Sequence, residues 1–261
     1  MRVKGLKGKI VVITGASSGI GALTAQLISQ RGAVPVLVAR SEDKLKATAA
    51  GIQGQYGLYV CDVGDTAAVE KTMSDILLTY GRIDILLNNA GYGKFADFTA
   101  MPIEEFDDMM DVNYMGIVRC TKAVLPSMLK RGSGHIVNVA SMAGKIGSSR
   151  AVAYTASKHA VLGFTNALRQ EYRKSGIIVS AVNPGPIATE FFKIADPTGN
   201  YERNVARMMM TPEHVSAKIV KVIESGKEEM DLPGLAALGI RLYGLFPRLA
   251  DKLTHNAMNK K

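Results

Sequence analysis

Tyr154 and Lys158 stand four residues apart in a segment of helical pattern, so both side chains fall on one face of the helix. An ammonium near a phenol favours the phenolate and lowers a pKa that is ordinarily near 10, which suits a proton donor and acceptor. Ser141 lies thirteen residues upstream, at the end of a strand-like run, where a hydroxyl can reach the same place. A second constellation sits near the start of the chain. Thr14-Gly15-Ala16-Ser17-Ser18-Gly19-Ile20-Gly21 follows an apolar run and opens a helical pattern. Glycines there allow a tight turn and close approach to a pyrophosphate, whose charge the free N–H groups at a helix start stabilise. Three residues separate Gly15 from Gly19 and one separates Gly19 from Gly21, so the common dinucleotide spacing is not matched.

Past the next apolar run, where such domains place a carboxylate against the adenosine ribose, the sequence reads Val38-Ala39-Arg40-Ser41. Arg40 is suited to a charge-assisted pair with a 2′-phosphate, Ser41 can donate to the same group, and Lys44 adds charge one turn later, which favours NADP(H) over NAD(H). Asp62, with Val63 beside it, follows a third run and is placed to accept from an adenine amino group or, equally, to cap the next turn. Asn88-Asn89-Ala90-Gly91 closes a fourth run.

These residues need a scaffold that brings strand ends together. Strand-length apolar runs at 9–14, 34–39, 57–61, 83–88, 135–140 and 177–183 alternate with helical patterns at 18–31, 42–51, 66–80, 103–130 and 152–174. Nearly continuous runs such as Ile10-Val11-Val12-Ile13 predict strands buried on both faces of a parallel sheet. The expectation is a single doubly wound α/β domain over 1–231, with about seven strands, helices on both faces and ligands beyond the carboxyl ends of the strands. A last strand is expected at 228–232. Residues 186–210 read as irregular, with 190–210 as a substrate lid, and Phe191, Phe192 and Met208 to Met210 hint at an apolar substrate.

In that order, Thr14-Gly15-x-x-x-Gly19-x-Gly21, Asn88-Asn89-Ala90-Gly91, Asn113, Ser141, Tyr154-x-x-x-Lys158 and Pro184-Gly185 resemble the short-chain dehydrogenase/reductase family over about residues 7–225. The resemblance implies a Rossmann domain that moves a hydride between a nicotinamide and a small-molecule alcohol or carbonyl. It implies Tyr154 as general acid or base and Ser141 on the substrate oxygen. Lys158 would lie on the nicotinamide ribose, Asn113 would hold a relay water, and Pro184, Gly185, Ile187 and Thr189 would lie beside the carboxamide. Family members pair their long helices, so a homodimer or homotetramer is expected. The ending departs from the common pattern and is more similar to the branch of hydroxysteroid dehydrogenases.

With 261 residues, 47% hydrophobic and 21% charged, the chain has the composition of a globular domain. A domain of this size buries roughly 75% of its unfolded surface, so it needs no metal or disulfide staple. Its four histidines and two cysteines show no ligand spacing, and no metal is expected. The formal charge of +9 is scattered without a basic stripe and interleaved aromatics, which argues against nucleic acid. The basic start leads into a short apolar stretch without a signal cleavage site, and the reading is cytoplasmic. Residues 232–250 form an apolar stretch broken by Pro233, Arg241 and Pro247, and 232–261 carries five basic residues against one acid. They fit peripheral membrane contact, or packing on the domain or a second subunit, better than a span. A nucleotide-sensing module on the same fold is the alternative to an enzyme.

Overall fold

The computed structural model describes residues 5–234, 239, 240 and 243. Its frame is one parallel sheet of seven strands: β1 (Ile10–Thr14), β2 (Val34–Ala39), β3 (Gly57–Val60), β4 (Ile85–Asn88), β5 (Gly134–Val139), β6 (Ile177–Pro184) and β7 (Glu229–Leu232). The order is β3-β2-β1-β4-β5-β6-β7, so the chain reverses direction across the sheet between β1 and β4. Ligands of open parallel sheets bind at such a reversal, beyond the strand ends.

Alternation along each strand separates two cores. Val11 and Ile13 of β1, Leu37 of β2 and Ile85 and Leu87 of β4 pack on one face with Ala25, Ile28, Val215 and Ile219. Ile10 and Val12, Val36 and Val38, and Leu86 face the other way, towards Val69, Met73, Val124 and Met128. Helices α1 (Gly19–Ser29) and α2 (Glu42–Ala49) therefore cover the first face, together with a late helix at Pro212–Ser225. Helices α3 (Thr66–Tyr80), α5 (Gly116–Arg131) and α6 (Val152–Glu171) cover the second. β1, β2 and β4 are buried at every residue, the physical reason that their sequences run apolar without polar alternation.

Two expectations are corrected. The helical pattern at 103–130 is not one helix: α4 (Ile103–Met110) gives way to a π-helical turn over Asp111–Met115 before α5 begins. The interruption is held by the Asn113 side chain, which bonds the Tyr92 backbone rather than facing solvent. Residues 186–210 are not irregular either. They contain α7 (Phe191–Ala195), α8 (Asn200–Val205) and a short 3-10 turn, and the last long helix, α9, is Pro212–Ser225. Asp196 organises this region: its carboxylate accepts from the Tyr201 and Glu202 N–H groups at 2.6 and 3.3 Å, satisfying free donors of α8. Among the described residues no helix is long and apolar enough to cross a membrane. The expected contact through 232–261 lies almost wholly outside the described residues.

Candidate active site

The turn after β1 is built by close approach of backbones. Thr14 Oγ1 accepts from the N–H groups of Asn89 and Ala90, both at 3.0 Å, and Asn89 Nδ2 donates to the carbonyls of Thr14 and Gly15 at 3.0 and 3.2 Å. These bonds tie the end of β4 to the end of β1 across the reversal. Gly15 has φ +65, and a Cβ there would lie 2.8 Å from Ala90 Cα. A Cβ on Gly21 would run into the Gly15 carbonyl oxygen and lie 2.6 Å from Asn89 Nδ2. Gly19, at φ +54, is less crowded: a Cβ there would make ordinary contact with the Thr189 methyl at 3.7 Å. Two glycines thus serve packing and the third serves the left-handed backbone at the start of α1. Ser18 caps that helix in an extended conformation without a side-chain cap bond, and its first turn carries no acid. Ser17 and Ile20 are partly buried in the same turn.

Arg40 emerges after β2 with its side chain 76% exposed, and Nη1 stands 3.8 Å from Asp62 Oδ2. The other Asp62 oxygen accepts from Gly64 N at 2.9 Å, which caps the turn after β3. Ser41 precedes α2 in an extended conformation without a side-chain cap bond, and Lys44 is exposed on that helix. Val63 is buried and packs where a Cβ on Gly116 would be.

The motif at the end of β4 divides its work. Asn88 is buried and donates to Thr121 Oγ1 at 3.3 Å and Asn138 Oδ1 at 2.8 Å, while Asn138 donates to Thr165 Oγ1 at 2.9 Å. These bonds hold the Asn88 amide nitrogen under the sheet against α5 and α6. Gly91 lies against the π turn, where a Cβ would be 2.8 Å from Asn113 Oδ1. Asn113 is fully buried: Oδ1 accepts from Tyr92 N at 2.9 Å, and Nδ2 donates to Tyr92 O at 2.9 Å and to Ser157 Oγ at 3.0 Å. Both amide hydrogens are therefore engaged by protein. Ser157, which the sequence reading passed over, also donates to Tyr154 O at 2.8 Å and so joins α6 to the π turn.

β5 and α6 bring the reactive groups together. The Ser141 hydroxyl lies 3.3 Å from Pro184 O, accepts from Ala143 N at 3.1 Å and hydrogen-bonds the Tyr154 side chain. Lys158 is buried, donates to Val139 O at 3.0 Å, and places its ammonium 5.7 Å from the Tyr154 ring centroid. Burial pushes the Tyr154 phenol up to about 12, against a lowering by the Ser141 hydrogen bond, and pushes Lys158 down to about 8. The shift is therefore upward, against the lowering expected from the neighbouring ammonium, and loss of water is its largest cause.

Aromatic rings cover this phenol. Phe191 and Phe95 stand 5.6 and 6.0 Å from Tyr154, Tyr201 is 4.9 Å from Phe95, and Phe192 is 5.4 Å from Phe191. Phe95 N donates to Ala195 O at 2.7 Å, pinning the segment after β4 to α7. Gly93 makes the assembly possible, because a Cβ there would meet Phe191 Cζ at 2.7 Å and Tyr154 Cδ2 at 3.2 Å. The Gly91-Tyr92-Gly93 spacing was a visible sign of close approach, whereas nothing local marked Phe95 or Tyr201. Gly185 N bonds Leu232 O at 2.7 Å, Ile187 bridges Met210, and Thr189 Oγ1 accepts from Phe191 N at 3.3 Å, so 184–189 forms the base of this cover. Of the three methionines, Met208 is exposed and Met210 packs against the core, so the run does not act as one apolar wall.

A nicotinamide dinucleotide suits these residues. The uncapped, acid-free start of α1 fits a pyrophosphate, and Lys158, buried with one carbonyl partner, has further N–H donors for ribose hydroxyls. The short chain dehydrogenase family model matches residues 9–199. A dehydrogenase/reductase of Xenopus laevis, SDR family member 7B, is 34% identical and aligns over 94% of this chain and 80% of its own. Among solved structures, a variant of the actinorhodin polyketide ketoreductase with NADPH is 32% identical with a TM-score of 0.78, covering 87% of this chain and 96% of that one. A Burkholderia phymatum short-chain dehydrogenase/reductase in complex with NAD is 25% identical with a TM-score of 0.85, covering 94% and 96%. The fold and site define a Rossmann-type oxidoreductase that depends on a pyridine nucleotide. The chain belongs to the short-chain dehydrogenase/reductase family.

Proposed function

We propose that the protein is an NADP(H)-dependent carbonyl reductase or alcohol dehydrogenase acting on an apolar substrate under a lid formed by 190–210. The observation that carries this reading is the partly buried Tyr154 side chain, hydrogen-bonded to Ser141 and overlooked by the Lys158 ammonium 5.7 Å from its ring centroid. When bound, the nicotinamide supplies or accepts the hydride. In the reducing direction Tyr154 gives its proton to the substrate oxygen, and Ser141 donates a hydrogen bond to that oxygen as negative charge develops on it. Lys158 stabilises the phenolate left behind and holds ribose hydroxyls. Asn113 and Ser157 fix the first turn of α6, and hence the phenol, against the π turn. Gly15, Ser17, Ser18, Gly19, Ile20 and Gly21 cradle the pyrophosphate, Asn89, Ala90 and Gly91 line the cleft beside it, and Arg40, Ser41 and Lys44 receive the 2′-phosphate. Asp62 and Val63 border the adenine, and Pro184, Gly185, Ile187 and Thr189 border the carboxamide.

The rings around Tyr154 support the apolar substrate. Phe98 and Ile103, 65% and 66% exposed, support assembly into a homodimer or homotetramer, which light scattering tests. The deciding experiment follows loss of reduced-nicotinamide absorbance with NADPH and NADH over aldehydes, diketones, steroid ketones and keto-acyl thioesters. Tyr154→Phe should lower kcat/KM by roughly a hundredfold to ten-thousandfold while leaving NADPH binding in place, the usual range for losing a general acid. Full activity in that variant overturns the assignment.

A further inference from the structure

Ser141 is carried on a short 3-10 turn, Met142–Gly144, whose two ends are held differently. At the near end the hydroxyl accepts from Ala143 N, and the Gly144 and Lys145 N–H groups close on Ser141 O and Met142 O at 2.9 and 3.0 Å. The middle is pressed against α6, since a Cβ on Gly144 would lie 2.6 Å from Lys158 O. The far end is fixed by charge. Lys145 Nζ stands 2.6 Å from both Glu229 Oε1 and Asp231 Oδ1 of β7, with the Lys145 and Asp231 side chains only 21% and 8% exposed. Asn183 of β6 is fully buried and donates to the same two carboxylate oxygens at 2.9 and 2.7 Å. Burial works against the ammonium, yet the hydrogen bonds to Asp231 and Glu229 offset it, and the Lys145 pKa rises.

We propose that Lys145 is a positioning residue for Ser141: its shared ion pair with Glu229 and Asp231 latches the turn to the β6–β7 edge and fixes where the Ser141 hydroxyl meets the substrate oxygen. The inference rests on the role assigned to Ser141 above. The arrangement is more than an ornamental surface pair. An exposed lysine pair contributes little to stability, whereas this one is half-enclosed, shared between two acids and completed by a buried amide. It also sits at the last residue of the turn, where one backbone bond, Lys145 N–H to Met142 O, is joined by the ion pair that ties the turn to β7. Hydrogen-bond donors at a reacting oxygen lose much of their effect when displaced by an ångström, so a loosened turn should act on the chemical step rather than on nucleotide binding.

The test compares the full-length wild type with Lys145→Met, Lys145→Arg and the double variant Lys145→Met with Asp231→Asn, which leaves no unpaired Asp231 charge if the single variant fails to fold. Benzil serves as carbonyl probe and NADPH as nucleotide. Loss of the latch should lower kcat by roughly tenfold to a hundredfold with KM and the NADPH Kd within about threefold, and Lys145→Arg should restore most of it. Amide hydrogen exchange over 142–145 should quicken about tenfold in the folded latch-less variant. Unchanged kcat, or a loss matched by an equal weakening of NADPH binding, overturns the proposal. Inactivity of the wild type with benzil would count against the reductase reading, and the exchange measurement still decides the latch: unchanged protection over 142–145 overturns it.

Discussion

Two regions meet at the carboxyl edge of the sheet and are held by different physics. On the nucleotide side, between β1 and β4, contacts run from backbone to backbone or from short polar side chains to backbone: Thr14 to Asn89 and Ala90, Asn89 to Thr14 and Gly15, and Gly21 against Gly15. On the lid side, above β6, rings lean on rings with centroid separations of 4.9 to 6.4 Å. Backbone contacts at van der Waals limits accept almost no substitution. Edge-on aromatic contacts contribute about 0.5–1.5 kcal/mol each and can be rebuilt with other rings. On the function proposed above, the first region specifies what kind of ligand the fold takes, and the second adjusts which substrate reaches Tyr154.

The sharpest way to break this contrast is to add one methyl group to the first region. Gly21→Ala puts a Cβ into the Gly15 carbonyl and against the Asn89 amide, and neither neighbour is the flexible end of a long side chain. The turn must shift, so the NADPH Kd should rise by about a hundredfold or more, with a loss of several degrees in Tm for a strained core site. Calorimetric titration and a melting curve measure both. NADPH binding equal to wild type would mean that the cradle is as plastic as the lid.

A smaller effect is expected at the rim of the same region. Arg40 is largely exposed, and its pairing with Asp62 at 3.8 Å is too long to hold it firmly. Arg40→Ala should weaken NADPH by roughly tenfold to a hundredfold, the range of lost charge-assisted hydrogen bonds, and leave NADH within about twofold. Titrations with both nucleotides give the ratio directly. Equal losses would assign Arg40 to packing and remove the NADP(H) preference while leaving the cradle untouched.

The same contrast explains which features were legible in the sequence. Gly15 and Gly21 could be placed because a side chain there meets neighbouring backbone, Gly19 because its positive φ favours glycine, and β1 because a strand buried on both faces must be apolar throughout. The π turn at Asp111–Met115 was hidden, since what holds it is the Asn113 side chain on the Tyr92 backbone, a contact between separate segments. Helices α7 and α8 were hidden for another reason: at five and six residues they are too short to form on propensity, and α8 depends on the Asp196 carboxylate at its start. The Asn88–Asn138 bond was hidden because a strand end has two faces, and only the pairing with β5 brings the two amides together. The direction of the Tyr154 shift depended on Phe95, Phe191 and Tyr201, contributed by segments far from it in sequence. Spacing recovers the residues that act together, but not the water excluded from them.

The smallest effect is expected in the lid, and it sharpens the comparison most. Phe191 touches Tyr154, Phe95 and Phe192, and it fills the space that Gly93 leaves by lacking a side chain. Phe191→Ala removes a ring without touching the β1–β4 cradle, so NADPH binding should stay within about twofold. KM should change by about threefold to tenfold in a substrate-dependent direction, because a cavity of this kind discriminates between apolar groups by only about 1–3 kcal/mol. Bulky ketones should gain access and small aldehydes should lose contact, so the order of substrates in the panel changes. A uniform change that preserves the order would show that the rings merely exclude water from Tyr154, and substrate choice would then have to reside in side chains other than Phe191.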